Sequence, residues 1–368
     1  MRSVISLMLY SLLVMMSSMS SAQETLRVLN WSDYLAPEVL QEFEKRYNVK
    51  IDYVEYTSVD DFGAHFLDSA NQFDVVFPAS RMLSALADAG LVRELDTHKL
   101  ENLDKLSDNI RHEFRGQNSG GWFGVPYLWG TTGLGLNQAA LARAGVTPDE
   151  MSWSLLFDPE VRKKASSCGI VVLNERDELF AAALRFMGES VNVTSSEALN
   201  SAGALIKDAL VDVKYLRSDG YVEALTSGEA CVVMGYSGDL LSGISEKPEL
   251  SYVIPSQGAA MWIDLMAIPT NSTHVDLAYQ FINYMMQAQN AARNSNYLSY
   301  PTVMASAMPL ITPEVLAKPE VYPPSAVLAK LEAMKPLQKD TTRLVSRLWT
   351  KAVCASGKYC SANVSSLF

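Results

Sequence analysis

Trp31, Ser32, Asp33 and Tyr34 follow one another at the end of the apolar run "RVLN". They offer an indole, a hydroxyl, a carboxylate and a phenol in four successive residues. The pattern returns in "AMWIDLMAIP", where Trp262 precedes Asp264 by two positions. In an extended segment, side chains two apart share a face, so Trp262 and Asp264 address one space. "GYSGDL" puts Tyr236 and Asp239 at the end of the strand-like "CVVMGY". "NERDELF" puts Asp177 and Glu178 after another strand, at the start of a helix. Such pairs suit a cation. Carboxylates hold an ammonium through charge-assisted hydrogen bonds. The negative face of an indole or phenol adds about 0.5–2 kcal/mol per contact. The methylenes between ammoniums need flat apolar walls. This is the chemistry of a box for an aliphatic polyamine, and its uncompensated carboxylates repel anions.

Each residue also has a plainer reading. Trp262 could be core, and Tyr236 could pack a strand end. Asp239 could cap the helix "LLSGIS" and Asp33 the helix that follows it, a common role for Asp. Glu178 could be a first-turn acid that complements the helix dipole. Asp264 is different, because an acid inside an apolar run demands a partner.

Enzymatic motifs are sparse. His65, His98, His112 and His274 are scattered, and none belongs to an HExxH pair. "GYSGDL" only approaches a nucleophile elbow. "GTTGLGLN" does not open a helix, so a phosphate loop is not expected. Neither a metal nor a cofactor is expected. A secreted hydrolase with an acidic active site stays as the enzymatic alternative, since carboxylates are plentiful.

The elements that must position these groups begin after a leader. Arg2, an apolar run from Val4 to Met16 and a Ser-rich segment ending "SSAQ" form a secretory signal peptide, residues 1–22, with cleavage after about Ala22. The run is short of the roughly 20 apolar residues of a membrane span. The whole chain has 30 basic and 41 acidic residues, net −11. Losing Arg2 leaves 29 against 41, or −12. An acidic exported protein is a poor partner for nucleic acid or anionic membrane. The length of 368 residues suggests two globular units. Strand-like and helical runs alternate in two series, from "LRVLNW" to "MLSALADAG" and from "CGIVVLN" to "LSYVIP", followed by helical runs such as "HVDLAYQFINYMMQAQNAARN". Alternation of this kind implies βαβ units and mostly parallel sheets. The fold class is α/β, with two lobes and a cleft between them. Ligands of open α/β sheets bind beyond the carboxyl ends of the strands, where all these groups fall.

Four cysteines in an oxidising compartment suggest two disulfides, with three possible pairings. Cys354 and Cys360 are close enough in "VCASGKYC" for a local loop, which leaves Cys168 with Cys231.

"LNWSDYLAPEVLQEFEKRYNVKI", "FDVVFPAS", "PYLWGTTGLGLN", "GEACVVMGYSGDL", "GAAMWIDLMAIP" and "VYPPSAV" resemble the periplasmic spermidine/putrescine-binding proteins of ABC importers. The resemblance covers nearly the whole mature chain. It implies a two-lobed periplasmic-binding-protein fold with a hinge and an interlobe ligand cleft. It places residues 23–132 and 260–305 in one lobe and residues 133–259 and 306–368 in the other. It implies pocket roles for Trp31, Ser32, Asp33, Tyr34, Ser80, Glu178, Tyr236, Asp239, Trp262, Asp264 and Tyr300, and a disulfide at Cys168 and Cys231. Two positions depart from the family: Tyr236, where many members have Trp, and Arg81, where many have Ser or Tyr. Arg81 either faces solvent in the first turn of a helix or faces the cleft and pairs with a pocket carboxylate. The resemblance extends to a Vibrio branch that signals. There, a norspermidine- or spermidine-binding protein reports to a membrane-bound cyclic-di-GMP enzyme controlling biofilm. The expectation is a periplasmic, monomeric polyamine-binding protein, not an enzyme, reporting to such an inner-membrane sensor. The alternative is delivery of the polyamine to an ABC permease.

Overall fold

The computed structural model describes residues 23–68, 72–108, 110–111 and 121–357. The leader and Cys360 lie outside them, and the Cys354–Cys360 pairing with Cys360. The first sheet forms as its alternating strands require. β1 (Glu24–Trp31) runs parallel to β2 (Val49–Tyr56), in register from Glu24↔Val49 to Trp31↔Tyr56. The helix Pro37–Tyr47 makes the crossover. Pro37 sits in its first turn, where a missing N–H costs nothing, and Asn48 ends it in the left-handed region. β3 (Val75–Val76) pairs with the other side of β1, giving the order β2-β1-β3, all parallel.

The second sheet is mixed, and here the parallel expectation needs correcting. β4 (Val125–Asn137) is antiparallel to β7 (Val232–Tyr236), β8 (Leu250–Val253) and β9 (Ala259–Met266). Parallel pairing survives where β5 (Ile170–Val172) meets β6 (Tyr215–Leu216) and β7, and where β10 (Leu331–Ala333) meets β9. The glycine-rich "GTTGLGLN" belongs to β4, so it is a strand and not a loop. Its glycines are explained by what stands opposite them. A Cβ at Gly133 would lie 2.5 Å from the Tyr252 hydroxyl, and one at Gly135 2.7 Å from Leu225. No side chain fits there.

β4 also joins the two halves of the molecule. Its first half pairs with β9, up to Thr131↔Met261, and its second half with β7 from Thr132↔Tyr236 onward. Antiparallel bridges Val76↔Ala267 and Ala79↔Asp264 tie β9 to the first sheet. One apolar cluster gathers Leu26, Phe43, Phe77 and Phe281, and is continuous with Leu173, Tyr221 and Leu240 of the second lobe. Ala307, Ile311, Val315 and Val321 also pack in this cluster. A second cluster, with Trp153, Phe157, Ile206 and Trp349, fills the other lobe. The long helical run after His274 is interrupted. It forms two helices, Val275–Met285 and Ala288–Leu298, and the Asn290 side chain donates 2.9 Å to the Tyr284 carbonyl at the break.

Cys168 and Cys231 are disulfide-bonded, with Cα atoms 5.5 Å apart. The link pins the strand starts of β5 and β7 together. Peptide mapping without reductant should recover this cross-link. The double variant Cys168→Ser, Cys231→Ser should lose about 2–4 kcal/mol of unfolding free energy in urea titrations. Free thiols at both positions in protein from an oxidising compartment would refute the pairing.

Candidate functional site

Aromatic rings from several elements come into contact. Trp31 and Tyr236 close their strands as expected, but Trp262 and Asp264 lie in the middle of β9 rather than beyond a strand's carboxyl end. Trp31, the last residue of β1, lies 4.3 Å from Tyr56 at the end of β2. Tyr34 meets Tyr127 edge-on at 5.7 Å and Tyr300 at 5.2 Å. Trp262 on β9 meets Tyr300 at 5.2 Å and Tyr236 at 5.8 Å. Two glycines let these rings seat. A Cβ on Gly130, which pairs with Trp262, would fall 2.4 Å from the indole, and one on Gly238 would fall 2.2 Å from the Tyr300 ring. Tyr127 and Tyr56 were not singled out in the sequence. Tyr127 braces the turn by donating 3.1 Å to the Tyr34 carbonyl, and Tyr56 donates 2.6 Å to the Phe77 carbonyl. "PYLWG" held Tyr127, but nothing in its spacing marks it as a neighbour of Tyr34.

Between the rings stand carboxylates. Asp264 is only 5% exposed. Burial pushes its carboxyl up to about 7, while the Tyr34 hydroxyl, Arg81 and the Trp31 indole N–H favour its charged form. Yet the Trp31 and Trp262 indole nitrogens and the Tyr34 hydroxyl are buried without a hydrogen-bond partner. Asp239 is clamped by two phenols. The Tyr221 hydroxyl donates to one oxygen, and the Tyr300 hydroxyl donates 2.9 Å to the other. Asp239 is therefore not the helix cap: Tyr236 occupies the cap position of Ser237–Gly243, and Asp239 lies in the first turn. Tyr221 was not anticipated, because it lies on a separate short helix.

Glu178 lies in the first turn of Arg176–Phe186 and is 1% exposed. Burial raises its carboxyl, while Arg81 and the nearby Thr132 hydroxyl favour its charged form. Neither oxygen, nor that hydroxyl, makes a well-formed hydrogen bond. Arg81 Nη1 stands 3.7 Å from Glu178, and Arg81 Nε stands 3.7 Å from Asp177. The Arg81 side chain is 11% exposed, so of its two readings the structure adopts the cleft-facing one. Asp177 is also paired with Arg176 at 2.7 Å. Burial raises its carboxyl, but Arg176 and Arg81 outweigh it and hold the group below its ordinary value. Glu175 joins the cluster. It accepts 3.2 Å from Ser218, and burial pushes it up to about 7. It sits in the same "NERDELF" but precedes the helix.

The remaining residues sit at the margin. Ser80 is buried in the first turn of Ser80–Asp88, one position before Arg81. The Ser32 hydroxyl donates 3.4 Å to the Tyr56 carbonyl, which ties it to the end of β2. Asp33 is exposed in the left-handed region, and its amide donates 2.9 Å to Glu55. It caps no helix, since Ala36 begins Pro37–Tyr47. Asp33 is still close enough to raise Asp239 by repulsion. An open cleft of about 960 Å³ adjoins the Arg81 end, lined by Thr57, Asp60, Arg81, Glu175, Asp177 and Ser218 among others.

A Ser–His–Asp grouping elsewhere is wired for structure. Ser272 donates 2.7 Å to Asp74, and His274 Nδ1 is 3.2 Å from the same carboxylate. The hydroxyl is bound to the acid and not to the imidazole, so no base activates it. Among the described residues no group of three His, Cys, Asp or Glu side chains is placed to hold a metal ion.

Two α/β lobes meeting over a buried cleft of rings and carboxyls have the architecture of a small-ligand binding protein. The chain belongs to the bacterial extracellular solute-binding protein family, whose model matches residues 38–323. It is 32% identical over 335 residues to a putrescine-binding periplasmic protein of Pseudomonas aeruginosa, covering 89% of this chain and 91% of that one. It is 31% identical over 353 residues to a putrescine-binding periplasmic protein of Escherichia coli, covering 94% and 95%. A solved structure described as a putative spermidine/putrescine ABC transporter from Listeria monocytogenes superposes with a TM-score of 0.78 at 28% identity, covering 90% of this chain and 99% of that one. The fold is the two-lobed periplasmic-binding-protein fold. Among the described residues no helix is long and apolar enough to cross a membrane.

The raised carboxyls set a pH dependence. Asp264 holds its proton up to about 7 in the folded protein, against about 4 in the unfolded chain. The folded form therefore binds the extra proton between these limits. Its stability is highest at the acid end and declines as pH rises through that window. Asp264→Asn stays neutral throughout. Urea midpoints measured between about pH 5 and pH 8 should fall less in Asp264→Asn than in wild type. Parallel declines would show that the Asp264 carboxyl is not raised.

Proposed function

We propose that this chain binds an aliphatic polyamine between its lobes, in the periplasm, and delivers it to an inner-membrane ABC permease. The observation that carries the reading is Asp264. It is a buried carboxyl set among Trp31, Tyr34, Trp262 and Tyr300, whose polar atoms leave it short of hydrogen bonds. A carboxylate in such surroundings gains most from a donor that brings its own positive charge. Rings beside it stabilise the same charge from the side and pack against methylenes. Asp239 and Glu178 offer further acceptors. Trp31, Ser32, Asp33, Tyr34, Ser80, Glu178, Tyr236, Asp239, Trp262, Asp264 and Tyr300 form the ligand set. Ser32 and Asp33 act from the rim.

The lobes close on the ligand by bending where β4 and β9 pass from one to the other. Only the closed form lets both lobes touch one molecule, so the ligand favours closure. A permease responds through its different affinity for the two forms. The relatives' binding of putrescine and the Listeria transporter weigh toward delivery over the signalling role first expected. The protein acts as a monomer and performs no chemistry. Polyamine incubated with it should be recovered intact, and turnover would favour the hydrolase instead.

Asp264→Ala and Trp262→Ala should each weaken polyamine binding at least about tenfold, or about 1.4 kcal/mol, in calorimetry. Unchanged affinity in both would remove the box from its proposed place. In cells, deletion of the gene should abolish most uptake of labelled polyamine. Normal uptake with a lost biofilm response to norspermidine or spermidine would instead restore the signalling role.

A further inference from the structure

Arg81 is a cation that the protein itself supplies to the cleft. It comes from the helix Ser80–Asp88 of one lobe and reaches the start of Arg176–Phe186 in the other. There it stands 3.7 Å from both Asp177 and Glu178, within ion-pair range but beyond hydrogen-bonding distance. Asp177 already has Arg176 at 2.7 and 3.2 Å. Glu178 has Arg81 as its ion-pair partner and no well-formed hydrogen bond, with only the Thr132 hydroxyl nearby. The Arg81 charge also acts on Glu175, Tyr236 and Asp264, so it is felt along the box and not only at its end.

Building on the polyamine reading, we propose that Arg81 sets the ligand's charge: it takes the place of one ammonium at the Glu175–Asp177–Glu178 end. A guanidinium cannot shed its proton to make room for a neighbouring cation. A ligand ammonium drawn to Glu178 therefore meets a fixed positive charge at short range. An ammonium placed at Asp239, on which the Arg81 charge does not register, meets less of it. The box then selects ligands with fewer ammoniums than its count of carboxylates suggests. The hydrogen-bonding capacity left on Glu178 suits a neutral polar group or the methylene end of a shorter amine better than a further charged terminus.

The test compares calorimetric affinities for putrescine, spermidine and spermine, which carry two, three and four amines. Arg81→Met removes the charge and keeps the length. It should raise the spermine-to-putrescine affinity ratio at least about tenfold. Arg81→Lys should keep the ratio within about threefold of wild type. Glu178→Gln gives an independent reading should Arg81→Met fold poorly. It removes one of the carboxylates that offset the Arg81 charge, leaving Asp177 and Glu175, and should lower the same ratio. Ratios unmoved in the folded variants, with wild type binding polyamine, would overturn this proposal alone. A wild type that binds no polyamine would overturn the reading beneath it as well.

Discussion

Buried carboxylates short of partners are the constraint around which the rest of the molecule is arranged. A carboxyl taken out of water without full hydrogen bonding either stays protonated or requires a cation. Asp264, Glu178 and Glu175 lie in that position, and all three are raised. The protein meets the demand in two ways. Phenols supply hydrogen bonds at Asp239, and guanidiniums supply charge at Asp177 and Glu178. Asp264 has neither in full. The cost of burying it is the free energy that an incoming cation can recover.

The fold sustains that cost through backbone rigidity. β9 is paired along the first half of β4, which fixes Trp262 and Asp264 against Gly130 and Leu128. Trp262 and Asp264 alternate with core-facing residues of β9, so moving either would shift the strand's whole apolar set. Gly130 and Gly238 leave space for the rings of Trp262 and Tyr300. The same strands connect the lobes. Tyr300 meets Asp239 and Arg81 meets Glu178 between residues distant in the chain, and in the proposed closing motion a small bend of these strands would separate them. Such opening would expose carboxylates to water, and closing would bury them again. A cationic ligand shifts this balance toward the closed form.

The charges inside the cleft differ from the charge of the protein as a whole. The chain is strongly acidic, which favours the approach of cations from a distance. Near the site, guanidiniums fixed by neighbouring acids modify that attraction. Long-range attraction follows from total charge, whereas selection among cations follows from where a few buried groups stand.

Much of this was legible in the residues themselves. Period-two and helical runs marked most strands and helices. The pairs Trp262–Asp264 and Tyr236–Asp239 announced a space shared by rings and acids, because side-chain direction along a strand is set by local geometry. An even cysteine count in an exported chain pointed toward a Cys168–Cys231 link. The antiparallel course of β4 was not legible, since glycines chosen for the bulk of distant neighbours look like loop residues in sequence. Nor was the break after Met285, where the Asn290 side chain takes over a carbonyl. Asp239 suggested a cap because that is the commonest local use of Asp. Its actual partners, Tyr221 and Tyr300, come from other elements. Arg81 admitted two readings, and only the approach of the helix Arg176–Phe186 from the other lobe chose between them. Local periodicity determines which residues share a face. The energy of a buried charge depends on every group that surrounds it, and those groups are assembled only when the chain folds.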